Sequence, residues 1–398
     1  MTATAPDSLA LLAPPAKPGA TPASRIVEVA RRHGVSPLRQ LREMIQLNLG
    51  PGRLDQHEYY ASGLYDPALS LEEKKAYVGE RSSRKLNDRM SPMALTMIRP
   101  FVANKAMYTA LIRQLGFRTT TTQALVSIRR RLGNIPALAS AAELRGFLLN
   151  DAQYPLFGKP ENSSGSYGSV RLDRIEAEDL VLGDGRRVPL DAFCTEIFAE
   201  YPEGYLLQSA LDQHKTLSDI AGISIGTMRV VTVREDWTPR QLYALWKVPS
   251  PEAMSDNFWQ AGSMIAPVSV ETGVVGPCRI GTGHDARQIE RHPVSGLAFE
   301  GTQVPFWDEV LRVTREAHAL FPEFGVIGWD VAITPEGPAL IECNANPFHS
   351  LYQTACGRGI LNPDFVPVFD RVAALSAQML AERKASNQAQ KKGKHGKR

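Results

Sequence analysis

The sequence is poor in cysteine, has no long apolar run and carries little excess charge of either sign. Its cysteines, Cys194, Cys278, Cys343 and Cys356, lie far apart and form no C-x-x-C pair. This spacing argues against a disulfide framework or a cysteine-bound metal and predicts a cytoplasmic protein. No apolar run approaches the roughly 18–20 residues of a membrane-spanning helix. The short run at 9–13 lacks a preceding basic region, so we do not interpret it as a signal peptide.

The small positive net charge comes from one short segment. The chain has 45 Lys and Arg against 42 Asp and Glu, a net charge of +3. Residues 383–398 hold seven of the basic residues and no acidic one, so the body counts 38 basic against 42 acidic residues. A nucleic-acid-binding domain is usually basic in its body. The charge distribution therefore predicts no nucleic-acid partner.

Periodicity and composition divide the chain into four parts. Residues 1–23 are rich in Ala, Pro, Thr and Ser and are predicted to be disordered. A helical region at 24–95 precedes a mixed domain at 96–380, whose lid is placed at 151–210, and a basic disordered tail at 381–398. Helical periodicity and turn residues predict helices at 24–33, 37–49, 71–84, 103–115, 140–149, 307–320 and 366–384. Short β-rich runs between these helices predict an α+β fold with a mostly antiparallel component.

The segment Val326 to Pro347 carries the strongest chemical signal. Two alternating strands flank the turn at 334–338, and a hairpin centred on Glu336 places Asp330 directly across from Glu342. Like charges on facing residues are destabilising unless something binds them. A Mg²⁺ ion would do so, and Asn344 on the same face would supply a third oxygen. The alternative, a surface hairpin with solvated acids, fits poorly with strands this apolar.

Two further segments indicate anion binding. Lys159 precedes a loop of small residues, and such loops let backbone N–H groups approach phosphate oxygens, although a flexible surface hairpin has the same composition. Downstream, the strands in Gly226 to Pro249 form a hairpin centred near residue 238. This register places Arg229 opposite Lys247, which calls for an anion between them or for side chains that reach solvent at a sheet edge.

The order of these parts resembles the ATP-grasp superfamily, and in particular the sugar-transfer-associated, alpha-L-glutamate ligase-related ATP-grasp family. The resemblance rests on NKAMYTALIRQLGF (104–117), LFGKPENSSGSYGSV (156–170), TMRVVTV (227–233), DN followed by AGS (256–257 and 261–263) and IGWDVAITPEGPALIECNANP (327–347). A further similarity covers YYASGLYDPALSLEEK (59–74) in the helical region. The resemblance implies an ATP-grasp fold, in which two α+β lobes grip ATP.

The resemblance also implies roles for individual residues. Those implied to bind nucleotide are Lys105, Lys159, the loop residues Ser163, Ser164, Gly165, Ser166 and Gly168, and the interlobe residues Gln208, Ser209, Ala210, Leu211 and Asp212. Asp330, Glu342 and Asn344 are implied to bind Mg²⁺ or Mn²⁺, and Arg229 and Lys247 to bind phosphate or the intermediate. Many ATP-grasp enzymes carry acidic residues where this chain has Gln208 and Ser209, which affects the implied ribose contact.

The implied reaction joins a small-molecule carboxylate to an amine through an acylphosphate, at the expense of ATP. Two other hypotheses remain: a phosphotransferase that acts on a hydroxyl, and a non-catalytic nucleotide-binding subunit. His349 and Gln353 follow the metal-binding motif and are candidates for the acceptor site, where His349 would act as a general base or merely cap a turn.

Overall fold

The computed structural model describes residues 22–161, 168–251, 253–256, 262–281 and 286–395. The predicted disorder of residues 1–23 falls outside this range except at Pro22 and Ala23, which are helical. Short helices fill the N-terminal region: α1 (Pro22–His33), α2 (Pro37–Leu49), α3 (Gln56–Ala61), α4 (Leu71–Lys75), α5 (Glu80–Met90), α6 (Arg99–Ala103) and α7 (Lys105–Gln114). Tyrosines and aliphatic residues of this region form a small core of their own.

Two of the predicted helices are divided in the structure. The stretch predicted at 71–84 is broken between α4 and α5, where Gly79 precedes the first residue of α5. The helix predicted at 103–115 is interrupted at Asn104, whose side chain accepts a hydrogen bond from the Met107 amide and starts α7. Asn competes with helix continuation because its side chain bonds nearby backbone groups, which makes it a good N-cap residue.

The first sheet has the order β2-β1-β7-β3-β4-β5-β6. Its strands are β1 (Thr122–Val126), β2 (Ala137–Leu138), β3 (Leu156–Pro160), β4 (Val170–Glu176), β5 (Asp179–Leu182), β6 (Arg187–Pro189) and β7 (Tyr205–Ser209). Two helices, α8 (Ala141–Asn150) and α9 (Leu190–Glu200), share its hydrophobic core. The first strand of this sheet begins at Thr122, whereas the lid is predicted to begin at residue 151.

The second sheet is the larger unit and has the order β12-β11-β10-β9-β8-β13-β14. Its strands are β8 (Met228–Val233), β9 (Arg240–Val248), β10 (Met264–Val268), β11 (Cys278–Ile280), β12 (Arg287–Ile289), β13 (Val326–Thr334) and β14 (Gly337–Asn344). The remaining helices are α10 (Lys215–Ala221), α11 (Trp307–Ala319), α12 (Ser350–Cys356) and α13 (Val366–His395).

Hydrophobic cores cover both faces of the second sheet. Alternate residues of β8 point in opposite directions, so Val230 joins the core beside α11 while Val231 joins the core beside α5 and α13. The predicted α+β class with a helical N-terminal region is therefore confirmed. No helix in the described part of the chain is long and apolar enough to cross a membrane.

The last helix is longer than predicted. It continues through the basic segment to His395 instead of ending near residue 384, so the described part of the predicted tail is helical. Residues 381–392 contain Ala, Glu, Arg, Gln and Lys, all good helix formers, and no Gly or Pro. Arg383 also attaches this part of the helix to the body, because its guanidinium donates to the Ala94 carbonyl oxygen at 2.8 Å.

Candidate active site

A cavity of about 530 Å³ opens between the two sheets. This is the size range of small-molecule sites in proteins. Both lobes contribute to its walls, and so does the N-terminal end of α7. The predicted site residues among its lining are Lys105, Lys159, Gln208, Ser209, Ala210, Leu211, Arg229, Lys247, Asp330, Glu342 and Asn344. The fold thus brings together residues that are up to 239 positions apart in the sequence.

The hairpin β13–β14 forms one wall of the cavity in the predicted register. Asp330 lies opposite Glu342, and Gly328 lies opposite Asn344. The intervening residue Cys343 points to the other face and belongs to the hydrophobic core. A bulge after Asp330 shifts the register by one residue toward the turn. The alternation of a strand therefore places the two carboxylates and the amide on the cavity side.

Asp330 is the most tightly held group in the cavity. Its carboxylate forms a bidentate pair with Arg229, with 2.5 Å from Nε to Oδ1 and 3.0 Å from Nη2 to Oδ2. Lys247 Nζ lies 3.3 Å from Oδ2. Burial by itself would raise the pKa of Asp330, but Arg229 and Lys247 lower that pKa to about 2. The carboxylate is therefore ionised at any ordinary pH.

The predicted pairing of Arg229 with Lys247 was wrong in register. Arg229 lies opposite Leu245, and the Lys247 amide donates to the Thr227 carbonyl oxygen at 2.9 Å. The hairpin turns one residue earlier than predicted, which shifts the register by two positions and leaves both cations on the same face. The anion between them is the Asp330 carboxylate of the protein itself.

Asp256 supplies a second anion at this end of the cavity. Its Oδ2 lies 3.1 Å from Lys247 Nζ and accepts a hydrogen bond from the Thr227 amide, also at 3.1 Å. Lys247 therefore bridges Asp256 and Asp330. Asp256 lies in one of the segments that carry the family resemblance, but no role was predicted for it.

Lys159 carries a positive charge into the cavity from the first sheet. Its side chain is buried, and Glu342 Oε1 lies 4.0 Å from Nζ. Burial lowers the pKa of Lys159, while Glu342 acts in the opposite direction. Glu342 is about one-third exposed, so this pair is looser than that of Asp330.

The charges that line the cavity are predominantly positive. The cations are Arg99, Lys105, Lys159, Arg171, Arg229 and Lys247, and the acids are Asp256, Asp330 and Glu342. The described lining therefore has three more cationic than acidic side chains. A cleft lined by one sign of charge attracts a ligand of the opposite sign. The cavity is therefore suited to a polyanion.

Glu161 does not line the cavity, but it connects two elements that do, and sequence reasoning missed it. It is fully buried and lies directly before the segment 162–167. Its Oε1 accepts hydrogen bonds from Asn104 Nδ2 at 2.8 Å and from Arg130 Nη1 at 2.5 Å. Its backbone oxygen lies 3.4 Å from Lys105 Nζ. Glu161 thus ties the end of β3 to the start of the helix that carries Lys105.

The predicted phosphate loop is only partly described. Ser163, Ser164, Gly165 and Ser166 lie outside the described residues. Gly168 has a positive φ of 73°, and a Cβ there would meet the Tyr201 hydroxyl, so the close approach requires glycine. Gly168 does not line the cavity itself, but its neighbour Ser169 does.

The interlobe strand places a polar edge along the cavity. Gln208 donates from Nε2 to Thr122 Oγ1 at 3.0 Å, and its Oε1 has no partner among the described residues. Ser209, Ala210 and Leu211 follow it along the lining. Asp212 was predicted to bind nucleotide but lies outside the cavity lining. The chain leaves the sheet at Ser209, and the Asp212 side chain is 78% exposed beside Arg171.

His349 and Gln353 also lie away from the cavity. His349 is fully buried, with Nδ1 at 3.0 Å from the Tyr243 hydroxyl and Nε2 at 2.9 Å from Asn87 Oδ1. The Gln353 side chain bonds the backbone amide and carbonyl of Val78. These contacts hold the helical N-terminal region against the second lobe, so neither residue is placed to contact a substrate.

Two buried histidines are expected to make stability depend on pH. Burial lowers the pKa of His349 to about 3 and that of His318 to about 4, from 6.5. Between these values and 6.5 the unfolded chain binds protons that the folded chain does not, so stability falls as pH decreases through this window. We expect His349→Gln to reduce that slope, as measured by urea unfolding at pH 7.5 and 5.5. An unchanged slope in the variant would contradict the burial of a neutral His349.

The donor set on β13 and β14 fits a hard divalent cation. The side chains of Asp330, Glu342 and Asn344 share one face of the hairpin, and Asn344 Nδ2 lies 3.4 Å from Asp330 Oδ2. Mg²⁺ is usually bound by one or two carboxylates together with substrate phosphates. Among the described residues, no group of three or more His, Cys, Asp or Glu side chains could hold a metal ion. The strongest candidate set of metal ligands is therefore Asp330 and Glu342 together with Asn344.

Comparisons with known proteins place this geometry in context. Solved structures that resemble the chain include the biotin carboxylase domain of 2-oxoglutarate carboxylase from Hydrogenobacter thermophilus, at 10% identity and a TM-score of 0.39 over 70% of this chain and 46% of that one. An L-amino acid ligase from Bacillus licheniformis has 13% identity and a TM-score of 0.34, over 62% of this chain and 41% of that one. The D-alanine–D-alanine ligase from Coxiella burnetii has 8% identity and a TM-score of 0.40, over 76% of this chain and 69% of that one.

The chain thus spans less than half of the first two of these structures. No curated protein matches the chain. The family model of the sugar-transfer-associated ATP-grasp proteins matches residues 84–364, which is more than half of the chain and includes every predicted site residue. The chain belongs to the sugar-transfer-associated ATP-grasp family.

Proposed function

We propose that the protein is an ATP-dependent ligase that joins a carboxylate to an amine and releases ADP and phosphate. One observation carries the proposal: cations from three separate elements, Lys105, Lys159 and Arg229, line one cavity together with Asp330 and Glu342. A nucleoside triphosphate carries the negative charge that such a lining favours, and oxygen ligands for Mg²⁺ lie within the same space.

In this proposal the first sheet and α7 bind the base and the phosphates of ATP, and the second sheet binds the metal ion. The polar edge from Gln208 to Leu211 receives the base, and Lys105 and Lys159 receive the phosphates. Mg²⁺ held by Asp330, Glu342 and Asn344 would neutralise charge on the phosphates during transfer. Glu161 keeps the strand end after Lys159 next to the helix that carries Lys105, which fixes the two lysines relative to each other.

The chemistry itself needs no nucleophilic side chain. A substrate carboxylate attacks the γ-phosphate to form an acylphosphate, and an amine then displaces phosphate to form an amide. The proposal assigns Arg229 and Lys247 to the charge that develops in both steps, because preorganised charges of this kind stabilise transition states. Because His349 is buried and hydrogen-bonded away from the cavity, we do not assign it the role of base.

The proposal is tested by measuring phosphate release in the presence of ATP, Mg²⁺ and a panel of amino acids and sugar acids. A ligase is expected to release phosphate only with the correct pair of substrates, and mass spectrometry should find an amide product. A phosphorylated product with ADP and no free phosphate would instead identify a phosphotransferase. ATP binding without turnover across the whole panel would favour a non-catalytic nucleotide-binding subunit.

A further inference from the structure

Residues 93–101 turn their apolar side chains toward solvent, and we call them the outer segment. Its large apolar side chains have exposures of 60%, 70%, 39% and 37%, in the order Met93, Met97, Ile98 and Phe101. The smaller residues Ala94 and Pro100 are exposed between them. Isolated exposed apolar residues are common on protein surfaces, whereas a contiguous group of them marks an interaction site.

The polar side chains of the outer segment point inward instead. Thr96 is fully buried, and its hydroxyl donates to the Pro92 carbonyl oxygen at 3.2 Å. Arg99 is the one charged residue of the segment, and its guanidinium donates to the carbonyl oxygens of Ala345 at 2.8 Å and Ser91 at 3.1 Å. These contacts hold the segment with its apolar side outward, which is the reverse of an ordinary protein surface.

A cationic part of helix α13 lies against the outer segment. Arg383 Nη1 donates to the Ala94 carbonyl oxygen at 2.8 Å, and Arg383 Nη2 lies 3.3 Å from Met97 Sδ. Within the part of the chain that the structure describes, Arg383 has no carboxylate partner. Lys384 is the next residue of the helix and is exposed. Positive charge therefore lies directly beside the exposed apolar side chains.

The positive charge continues beyond this contact. Glu382 is the last acidic residue of the chain, and its carboxylate accepts a hydrogen bond from Gln378 Nε2 at 2.9 Å. Residues 383–398 include seven basic residues, and the backbone of α13 is helical as far as His395. One continuous helix therefore connects the outer segment to a stretch of chain that has basic and no acidic residues.

We propose that the outer segment and the basic end of α13 together dock the protein on a membrane surface of anionic phospholipids. Apolar side chains are buried at the boundary between headgroups and acyl chains, and Lys and Arg are attracted to anionic headgroups. One bilayer surface therefore complements both features. A nucleic acid would neutralise the basic residues but would offer the exposed methionines no hydrocarbon to enter. A second copy of the chain would present another basic stretch instead of anionic groups.

The proposed docking surface adjoins the cavity through helix α6. Arg99, Val102 and Ala103 line the cavity, while Ile98 and Phe101 belong to the exposed side of the same short stretch. Docking would therefore bring the α6 wall of the cavity close to the bilayer surface. The inference goes beyond the proposed ligase reaction and is independent of it, because its test measures membrane binding rather than turnover.

The test is co-sedimentation of the full chain with phospholipid vesicles. We expect binding to vesicles that contain phosphatidylglycerol and not to vesicles of phosphatidylcholine alone, and we expect salt to weaken it because exposed charges are screened. Met97→Glu/Phe101→Glu should lower the affinity for the anionic vesicles by about tenfold or more, since two inserted apolar groups become anions. Val294→Glu is the matched control, because Val294 is 73% exposed and lies outside the outer segment. Circular dichroism should show that both variants remain folded.

Further variants test the basic residues and the insertion of the outer segment. Lys391→Gln/Lys392→Gln/Lys394→Gln keeps good helix formers in place and should also weaken binding to the anionic vesicles. An environment-sensitive dye attached to Met97→Cys should brighten on those vesicles, whereas the same dye on Val294→Cys should not.

The proposal is overturned if the protein does not bind anionic vesicles, if it binds neutral vesicles equally well, or if Met97→Glu/Phe101→Glu binds like the wild-type chain. Binding to single-stranded RNA without binding to vesicles would identify a different partner and would also overturn it. A dimer that Met97→Glu/Phe101→Glu breaks, in a chain that does not bind vesicles, would do the same.

Discussion

Asp330→Asn is expected to abolish turnover and also to lower the free energy of unfolding by about 3–5 kcal/mol. The loss of stability follows because Arg229 and Lys247 would remain in the cavity wall without the carboxylate that they share. The loss of turnover follows because the same carboxylate is a proposed metal ligand. A fall in turnover of roughly 10²–10³-fold or more is typical when such an electrostatic group is removed. Urea unfolding and phosphate release measure the two effects.

Two further variants separate stability from chemistry. Arg229→Gln added to Asp330→Asn removes one stranded cation and should recover much of the stability, while turnover remains lost. Glu342→Gln should lose turnover with little change in stability, because Glu342 is about one-third exposed and has no cation closer than Lys159 Nζ at 4.0 Å among the described residues. Full turnover in Asp330→Asn would refute its role in the reaction, and unchanged stability would refute the buried ion pair.

Lys159→Met is expected to have the opposite effect on stability. The lysine is buried and burial lowers its pKa, so the folded protein bears the cost of desolvating an ammonium group. Methionine fills a similar volume without that cost, and the melting temperature should stay the same or rise. ATP affinity should fall and turnover should drop by roughly 10²–10³-fold, since a phosphate-binding charge is removed. Calorimetric ATP titration and thermal melting measure these changes.

Lys215→Met provides the matched control for this experiment. Lys215 is 82% exposed and pairs with Asp219 on the surface, away from the cavity. Its replacement should leave ATP affinity and turnover unchanged. If Lys159→Met bound ATP as tightly as the wild-type chain, the assignment of Lys159 to the phosphates would fail. A large loss of stability in Lys159→Met would contradict the inference that the Lys159 ammonium is buried without a close carboxylate.

The parts of the fold that local rules control were predictable. Ser36 and Pro37 start α2 and Gly50 follows its end, so its bounds matched the prediction. The register of Asp330 with Glu342 was also predictable, because a short turn with Pro335 and Gly337 leaves little freedom between two alternating strands. The register of Arg229 was predicted wrongly because β8 and β9 are joined by a longer connection than the two residues of a tight turn. The predicted centre of that hairpin was one residue too late.

The functional residues that sequence reasoning missed depend on tertiary contacts. Glu161 has no local pattern, and its role arises from hydrogen bonds with Asn104 and Arg130, which lie 57 and 31 residues away. His349 was misplaced for the converse reason. It lies next to the proposed metal-binding motif in sequence, but at the start of α12 its side chain contacts Asn87 instead of the cavity. Proximity in sequence was a poor guide at the end of a strand, where the chain changes direction.

The contacts between the helical region and the second lobe determine where the chain can be cut. Asn87 Nδ2 donates to Asn346 Oδ1 at 2.6 Å, and Ser91 Oγ accepts hydrogen bonds from the amides of Gly325 and Val326. A fragment that began at residue 96, the predicted domain boundary, would leave groups on both strands without these partners at the open end of the hairpin that carries Asp330. Helix α5 and Ser91 thus support the hairpin that forms one wall of the cavity.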